Sequence, residues 1–238
     1  MGGPFHHQPV DAGDAAEALR IFQAQGAVHV RGALDIAVLA RLQGAAADVF
    51  AEREVLAEAG ELPDALSVDY TRRFIHLDHL ATGSAIVDEL LHPAFVAIAS
   101  VYLGKDPEIA DQVHVRSITP VRTDTYLPFH QDQTILRRRL LNVWIPLSAC
   151  GRDAPGLELV LDSWRELFPV SPPPGAKFAV ELARIDEQAL AGGFEERARW
   201  RPSFEAGDAM LFAGATAHRT HATPDMTHDR MSVELRLV

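Results

Sequence analysis

Sulfur is scarce in this chain: Cys150 is its only cysteine among 238 residues. One thiol excludes an internal disulfide framework and removes cysteine-rich zinc and iron–sulfur sites, and it fits a reducing cytoplasm. Long apolar runs are also missing, because Asp, Glu, His or Pro interrupts each before it reaches the length of a membrane span. The opening MGGPFHHQPVDAGD lacks the basic start and apolar core of a signal peptide. Positive charge is in deficit, with 22 Lys and Arg against 33 Asp and Glu, a net −11. Nucleic acid and anionic membranes, which need clustered Lys and Arg, are therefore poor partners.

What remains is ordinary globular composition, 47% hydrophobic and 23% charged. The length fits one domain spanning 1–238. Residues 1–105 read as a mainly helical layer with one short strand. In DAAEALRIFQAQG, Ala15, Ala18, Leu19 and Phe22 share a helical face that Gly26 closes. AVHVRG is the strand. Asp35 caps a second helix with Val38, Leu42, Ala45 and Val49 inward. Gly60 to Asp69 reads as a loop. SAIVDELLHPAFVAIASVYLG gives one or two helices, capped at Ser84, restarting at Pro93 and stopping at Gly104.

From 106 to 238 the texture is β. QVHVRSIT, LLNVWIPL, LELVL, DAMLFAGA and MSVELRLV are short alternating or β-branched runs divided by turn residues. Strands at this spacing indicate a jelly roll, with an insertion around 169–202 that opens on SPPPG. The expected fold is mainly β with flanking helices packed on one sheet. In the last strand Met231, Val233, Leu235 and Leu237 face one side, Arg230, Ser232, Glu234 and Arg236 the other. The apolar side belongs under the helices; the polar side meets either solvent or a wet cavity.

PFHQDQ places His130 and Asp132 two apart, on one side of an extended strand. His218 or His221, in GDAMLFAGATAHRTH, supplies a third donor. Two imidazoles and a carboxylate leave three octahedral positions open, the set suited to non-haem Fe(II) that must take a bidentate cosubstrate and O2. A closed structural zinc site would use four ligands. A dicarboxylate such as 2-oxoglutarate then needs a fixed cation. Arg230, opening the last strand on its polar face, offers a bidentate fork, and Thr220 adds a hydroxyl. A lone HxD is common by chance, and His29, His76, His79, His92 and His114 show that histidine is plentiful; the order HxD, strand, GD, His, Arg is far more specific.

FHQDQ, NVWIPLS, GLELV, GDAMLF…AHRT and R-MSVELRL together resemble the phytanoyl-CoA dioxygenase branch of the Fe(II)/2-oxoglutarate-dependent oxygenases. QGAVHVRGAL and DELLHPAFVAIASVYLG extend the resemblance upstream. It implies a double-stranded β-helix, iron at His130, Asp132 and His218, 2-oxoglutarate anchored by Arg230 with help from Thr220, and O2 as second cosubstrate. The implied reaction hydroxylates an unactivated C–H bond of a small metabolite, a natural-product intermediate or amino-acid derivative, forming succinate and CO2. Halogenating relatives carry a small residue where this chain has Asp132, which points to a hydroxylase.

Other candidates carry open alternatives. Trp144 and Asn142 share a strand face that either flanks the cosubstrate or packs into the core. Arg116 and His114, with Gln112 on the same face, line a pocket or form surface salt bridges; Gln133 beside Asp132 completes the substrate-facing set. Arg137, Arg138 and Arg139 form a solvated turn, a salt-bridged edge or an anion site. GLELVLDSW departs from the family's usual turn at the active-site mouth, so substrate preference does not carry over. Two rival readings remain: a metal-dependent jelly-roll isomerase or hydrolase that ignores 2-oxoglutarate, and a protein-modifying or binding member of the fold.

Overall fold

The computed structural model describes residues 5–66, 69–80, 86–186, 188–190 and 198–238, with backbone alone at 69, 70, 111, 112 and 124. Among the described residues three longer helices form the N-terminal layer. In α1 (Ala15–Gln25) the Asp14 carboxylate accepts from the Glu17 N–H, and Gly26, at φ +78°, ends the helix. Only glycine fits there: a Cβ at Gly26 would collide with the Trp164 ring. α2 (Ile36–Ala59) is capped by Asp35 and ended by Gly60, and it buries Val38, Leu39, Leu42 and Ala46. α3 is the short Asp69–Arg72, which begins at the last residue of the stretch expected to be loop. In α4 (Pro93–Leu103) Pro93 opens the first turn and Gly104 closes the last. The expected cap at Ser84 lies outside the described residues. Two single turns follow, α5 (Asp132–Leu136) and α6 (Ala179–Leu182).

Among the described residues ten strands build the β part: β1 (Val10–Asp11), β2 (Ala27–Arg31), β3 (Phe74–His76), β4 (Ile109–Ile118), β5 (Leu141–Pro146), β6 (Gly156–Val160), β7 (Arg199–Trp200), β8 (Ala209–Ala213), β9 (His218–His221) and β10 (Arg230–Leu237). They form a seven-stranded sheet in the order β1-β2-β8-β5-β10-β4-β3 and a three-stranded sheet, β7-β6-β9. This is the expected jelly roll with helices on one face. N-terminal residues enter the large sheet as β1, β2 and β3, so the helical layer is also part of the roll.

Alternation along β10 sets what each face of the large sheet does. Val233, Leu235 and Leu237 join Val113, Val115, Val143, Ile145 and Leu211 in the core beneath the helices. Arg230, Ser232, Glu234 and Arg236 point between the sheets. There the interior divides. Trp144, Met210, Phe212, Leu157, Leu159 and Trp200 fill the β2–β8 side with apolar bulk. The β10–β4–β3 side stays polar: Glu234 lies between Trp144 of β5 and His114 of β4, and Arg236 beside Asn142.

Candidate metal centre and cavity

The two ligand segments meet backbone to backbone. His130 and His218 form an isolated antiparallel bridge: the His130 N–H donates to the His218 carbonyl at 3.0 Å, and the return bond is 3.1 Å. The expectation that His130 and Asp132 share one side of an extended strand is corrected here, because Asp132 is the first residue of α5. A negative side chain in a first helical turn faces the unpaired N–H groups, which favours that turn. The chain therefore bends between the two donors, and the bend brings them together.

One donor atom each from His130, Asp132 and His218 lies within 4.8 Å of the others, and all three residues are buried. His130 Nε2 is 3.8 Å from Asp132 Oδ1, and His218 Nε2 is 3.9 Å from Asp132 Oδ2. Each imidazole is oriented alike. His130 Nδ1 donates to the Pro128 carbonyl at 2.8 Å and His218 Nδ1 to the Thr216 carbonyl at 2.9 Å. That tautomer leaves both Nε2 lone pairs directed at the carboxylate. Burial, then the facing His218, pushes His130 down to about 3, and burial lowers His218, so both rings are neutral at neutral pH. Burial alone would raise Asp132, but the Arg236 guanidinium, then His218 and His130, hold it below the usual carboxylate range. Two neutral imidazoles and an ionised carboxylate make a divalent-metal donor set. His221 is half-buried, stands outside this group and lines an adjoining groove with Tyr126 and Pro128.

Gln131, between the two ligands, is fully buried. Its amide donates to the carbonyls of Ala215 and Glu166 and accepts from the Phe168 N–H at 2.9 Å. It ties the bend to the turn leading into His218, a role that sequence reading missed.

A cavity of about 210 Å³ opens beside the triad. Its polar wall is Arg116, Asn142, Trp144, Thr220, Arg230, Glu234 and Arg236, and Phe74, Leu127, Ile135, Leu136, Ala179, Val180 and Phe212 form much of the rest. Arg230 is 2% exposed; one Nη donates to Ser232 Oγ at 2.8 Å, and the guanidinium lies 5.2 Å from the Trp144 ring centre. Thr220 Oγ1 accepts from the Leu127 N–H at 3.0 Å. Arg116 lies over Phe74 and 3.3 Å from Glu234. Among the described residues, Arg230 Nε, Arg236 Nε, Asn142 Nδ2 and Trp144 Nε1 are buried donors without an acceptor. Buried donors are seldom left so, and four around one cavity suit a ligand rich in acceptor oxygens.

The remaining candidates fall elsewhere. His114 packs behind the cavity against Phe74 and His76, with ring centres 4.4 and 4.8 Å away, and burial pushes it down to about 4. Gln133 is outside the lining, its N–H bonded to the Gly214 carbonyl. The Gln112 side chain lies outside the described residues. None of the three consecutive arginines lines the cavity: Arg137 ends α5 in the left-handed region, and Arg139 lies 4.1 Å over Tyr102. Arg236 was visible in the sequence only as one polar residue of β10; nothing there marked Asp132 as its partner.

The sequence profile of the phytanoyl-CoA dioxygenase (PhyH) family matches residues 22–228. The chain belongs to this family. It is thus an enzyme of the non-haem Fe(II)/2-oxoglutarate-dependent class. No curated protein sequence matches it significantly. Solved structures do: EvdO2 from Micromonospora carbonacea var. aurantiaca is 17% identical with a TM-score of 0.67, covering 100% of this chain and 92% of that one. The non-haem α-ketoglutarate-dependent carbocyclase SnoK from nogalamycin biosynthesis is 19% identical (TM-score 0.64; 97% and 86% covered). The epimerase SnoN from the same biosynthesis is 17% identical (TM-score 0.63; 95% and 83%). At these identities the likeness is one of fold. Among the described residues no helix is long and apolar enough to cross a membrane.

Proposed function

We propose that this PhyH-family chain is a dioxygenase that hydroxylates an unactivated C–H bond of a small metabolite, with His130, Asp132 and His218 as the iron ligands. The observation that carries the reading is the group of four buried donors without acceptors beside a three-residue metal donor set. Arg230 would hold the far carboxylate of 2-oxoglutarate, its charge permanent and its position braced by Ser232 and Trp144. Asn142 and Trp144 would donate to the same ligand, and Thr220 would stand at its side.

Bound iron would supply the O2 chemistry, with 2-oxoglutarate converted to succinate and CO2. The protein's part is placement. Carbonyl bonds at Pro128 and Thr216 fix the two imidazoles, and neutral rings keep their lone pairs available. Ile135, Leu136, Ala179 and Val180 make a dry wall on the substrate side. Ala179 and Val180 come from the 169–202 insertion, which thus reaches the cavity wall. Arg116, held by Glu234 and Phe74, is the substrate-facing polar group best placed to orient a small molecule. The similar structures SnoN and SnoK are an epimerase and a carbocyclase, so abstraction from the same C–H position with a different ending is the second reading.

The test needs no substrate. Anaerobic apo-protein is titrated with Fe(II) and then 2-oxoglutarate, and the visible charge-transfer band of the chelate is followed. The band should form in the wild type and vanish in His130→Ala and Asp132→Ala. Iron bound without a band would move the protein to a metal-dependent isomerase or hydrolase.

A further inference from the structure

Two guanidiniums project from the inner face of β10 into the cavity, and their partners differ. Arg230 meets Ser232 and Trp144, whereas Arg236 Nη2 reaches Asp132 Oδ1 at 3.4 Å. Arg236 sits beside Asn142 of β5 and Ala110 of β4, where a register shift between Glu234 and Arg236 interrupts the ladder. Sheet geometry thus aims a fixed cation at one oxygen of the carboxylate that stands between the two imidazoles.

We propose that Arg236 is a positioning residue that restricts Asp132 to a single oxygen at the metal. The inference rests on the proposed metal role of the triad. A carboxylate can chelate through both oxygens, and each oxygen so used closes one position. A bidentate cosubstrate together with O2 needs three open positions, so two-oxygen chelation would leave too few. The guanidinium engages Oδ1 and leaves Oδ2, the oxygen 3.9 Å from His218 Nε2, for the metal. The device has a cost that identifies it. A permanent positive charge this close to a divalent ion opposes its binding. Removing Arg236 should therefore tighten the metal while weakening the cosubstrate, whereas removing a mere structural prop would weaken both.

The experiment compares full-length wild type, Arg236→Met and Arg236→Lys. Anaerobic Fe(II) affinity is measured first without cosubstrate, and then the 2-oxoglutarate concentration for half-maximal chelate band. Arg236→Met should bind Fe(II) up to about tenfold more tightly and need about tenfold more 2-oxoglutarate, the scale on which outer partners tune metal sites. Arg236→Lys, which restores the charge, should return Fe(II) affinity to the wild-type value. Two weakened affinities, or two unchanged ones, would overturn the inference. Should Arg236→Met fail to fold, Arg236→Gln is read by the same pair of measurements. The two failures are distinct: iron without a band in the wild type sinks the oxygenase reading, while a normal wild-type band matched by Arg236→Met sinks only this inference.

Discussion

His130 and His218 are bound to each other through their backbones: two reciprocal N–H···O bonds hold the pair, with ring centres 4.2 Å apart. The imidazole pair is therefore built by the fold before any metal arrives. Metal binding should cost little reorganisation, and losing one ligand should remove affinity without unfolding the chain.

His130→Ala, Asp132→Ala and His218→Ala should each lose more Fe(II) affinity than the roughly 10–100-fold that outer partners contribute. His221→Ala, altered in the neighbouring groove, should bind as wild type. Isothermal titration of the four variants separates the two histidines of HRTH, and tight binding by His218→Ala would transfer the ligand role to His221.

Arg230→Met should weaken 2-oxoglutarate by about 100-fold, equivalent to the roughly 2–3 kcal/mol of a charge-assisted hydrogen bond pair, with little effect on Fe(II) affinity. Its metal-free form should melt no lower than wild type, because a buried guanidinium is replaced by an apolar chain of similar length. Chelate-band titration and calorimetry read the two effects; a melting point several degrees lower would make Arg230 a structural residue.

Gln131→Leu should destabilise the protein by about 2–3 kcal/mol, since the Phe168 N–H and two carbonyls lose a buried partner. Fe(II) affinity should fall by about tenfold as the bend between the ligands loosens. Urea unfolding and metal titration check both; a loss confined to stability would deny the residue any part in shaping the site.

The pH dependence follows from His114. Burial pushes its folded-state value down to about 4 from the ordinary 6.5, so between those values the unfolded chain holds more protons than the folded one. Stability then rises with pH across that window and is lost as pH falls from 6.5 towards 4, with a slope of up to about 1.4 kcal/mol per unit from this residue. His130 and His218 add in the same direction in the metal-free protein. Denaturation at several pH values should give a shallower slope for His114→Gln than for wild type; equal slopes would remove His114 from the account.

Periodicity carried much of the fold. Asp35, Gly26 and Gly104 end their helices where the sequence placed those ends, and the two faces of β10 separate apolar from polar as alternation requires. Less legible were β1, β3, β7 and β9, which run from two to four residues, too short to show a period. The bend after His130 was hidden for a different reason. It depends on Gln131 meeting Ala215 and Phe168, and partners so remote in sequence leave no local pattern. The same limit explains Arg236: alternation put it on the cavity face, but only the folded α5 puts Asp132 within reach.

The position of β10 in the chain also bears on biosynthesis. Translation delivers His130, Asp132 and His218 before Arg230, Glu234 and Arg236, yet β10 is the shared neighbour of β4 and β5 and supplies one wall of the cavity. A nascent chain thus carries the metal donors while its large sheet is still in two halves. Until β10 docks, the cavity lacks the wall that carries Arg230, Glu234 and Arg236, so one strand closes both the sheet and the cavity.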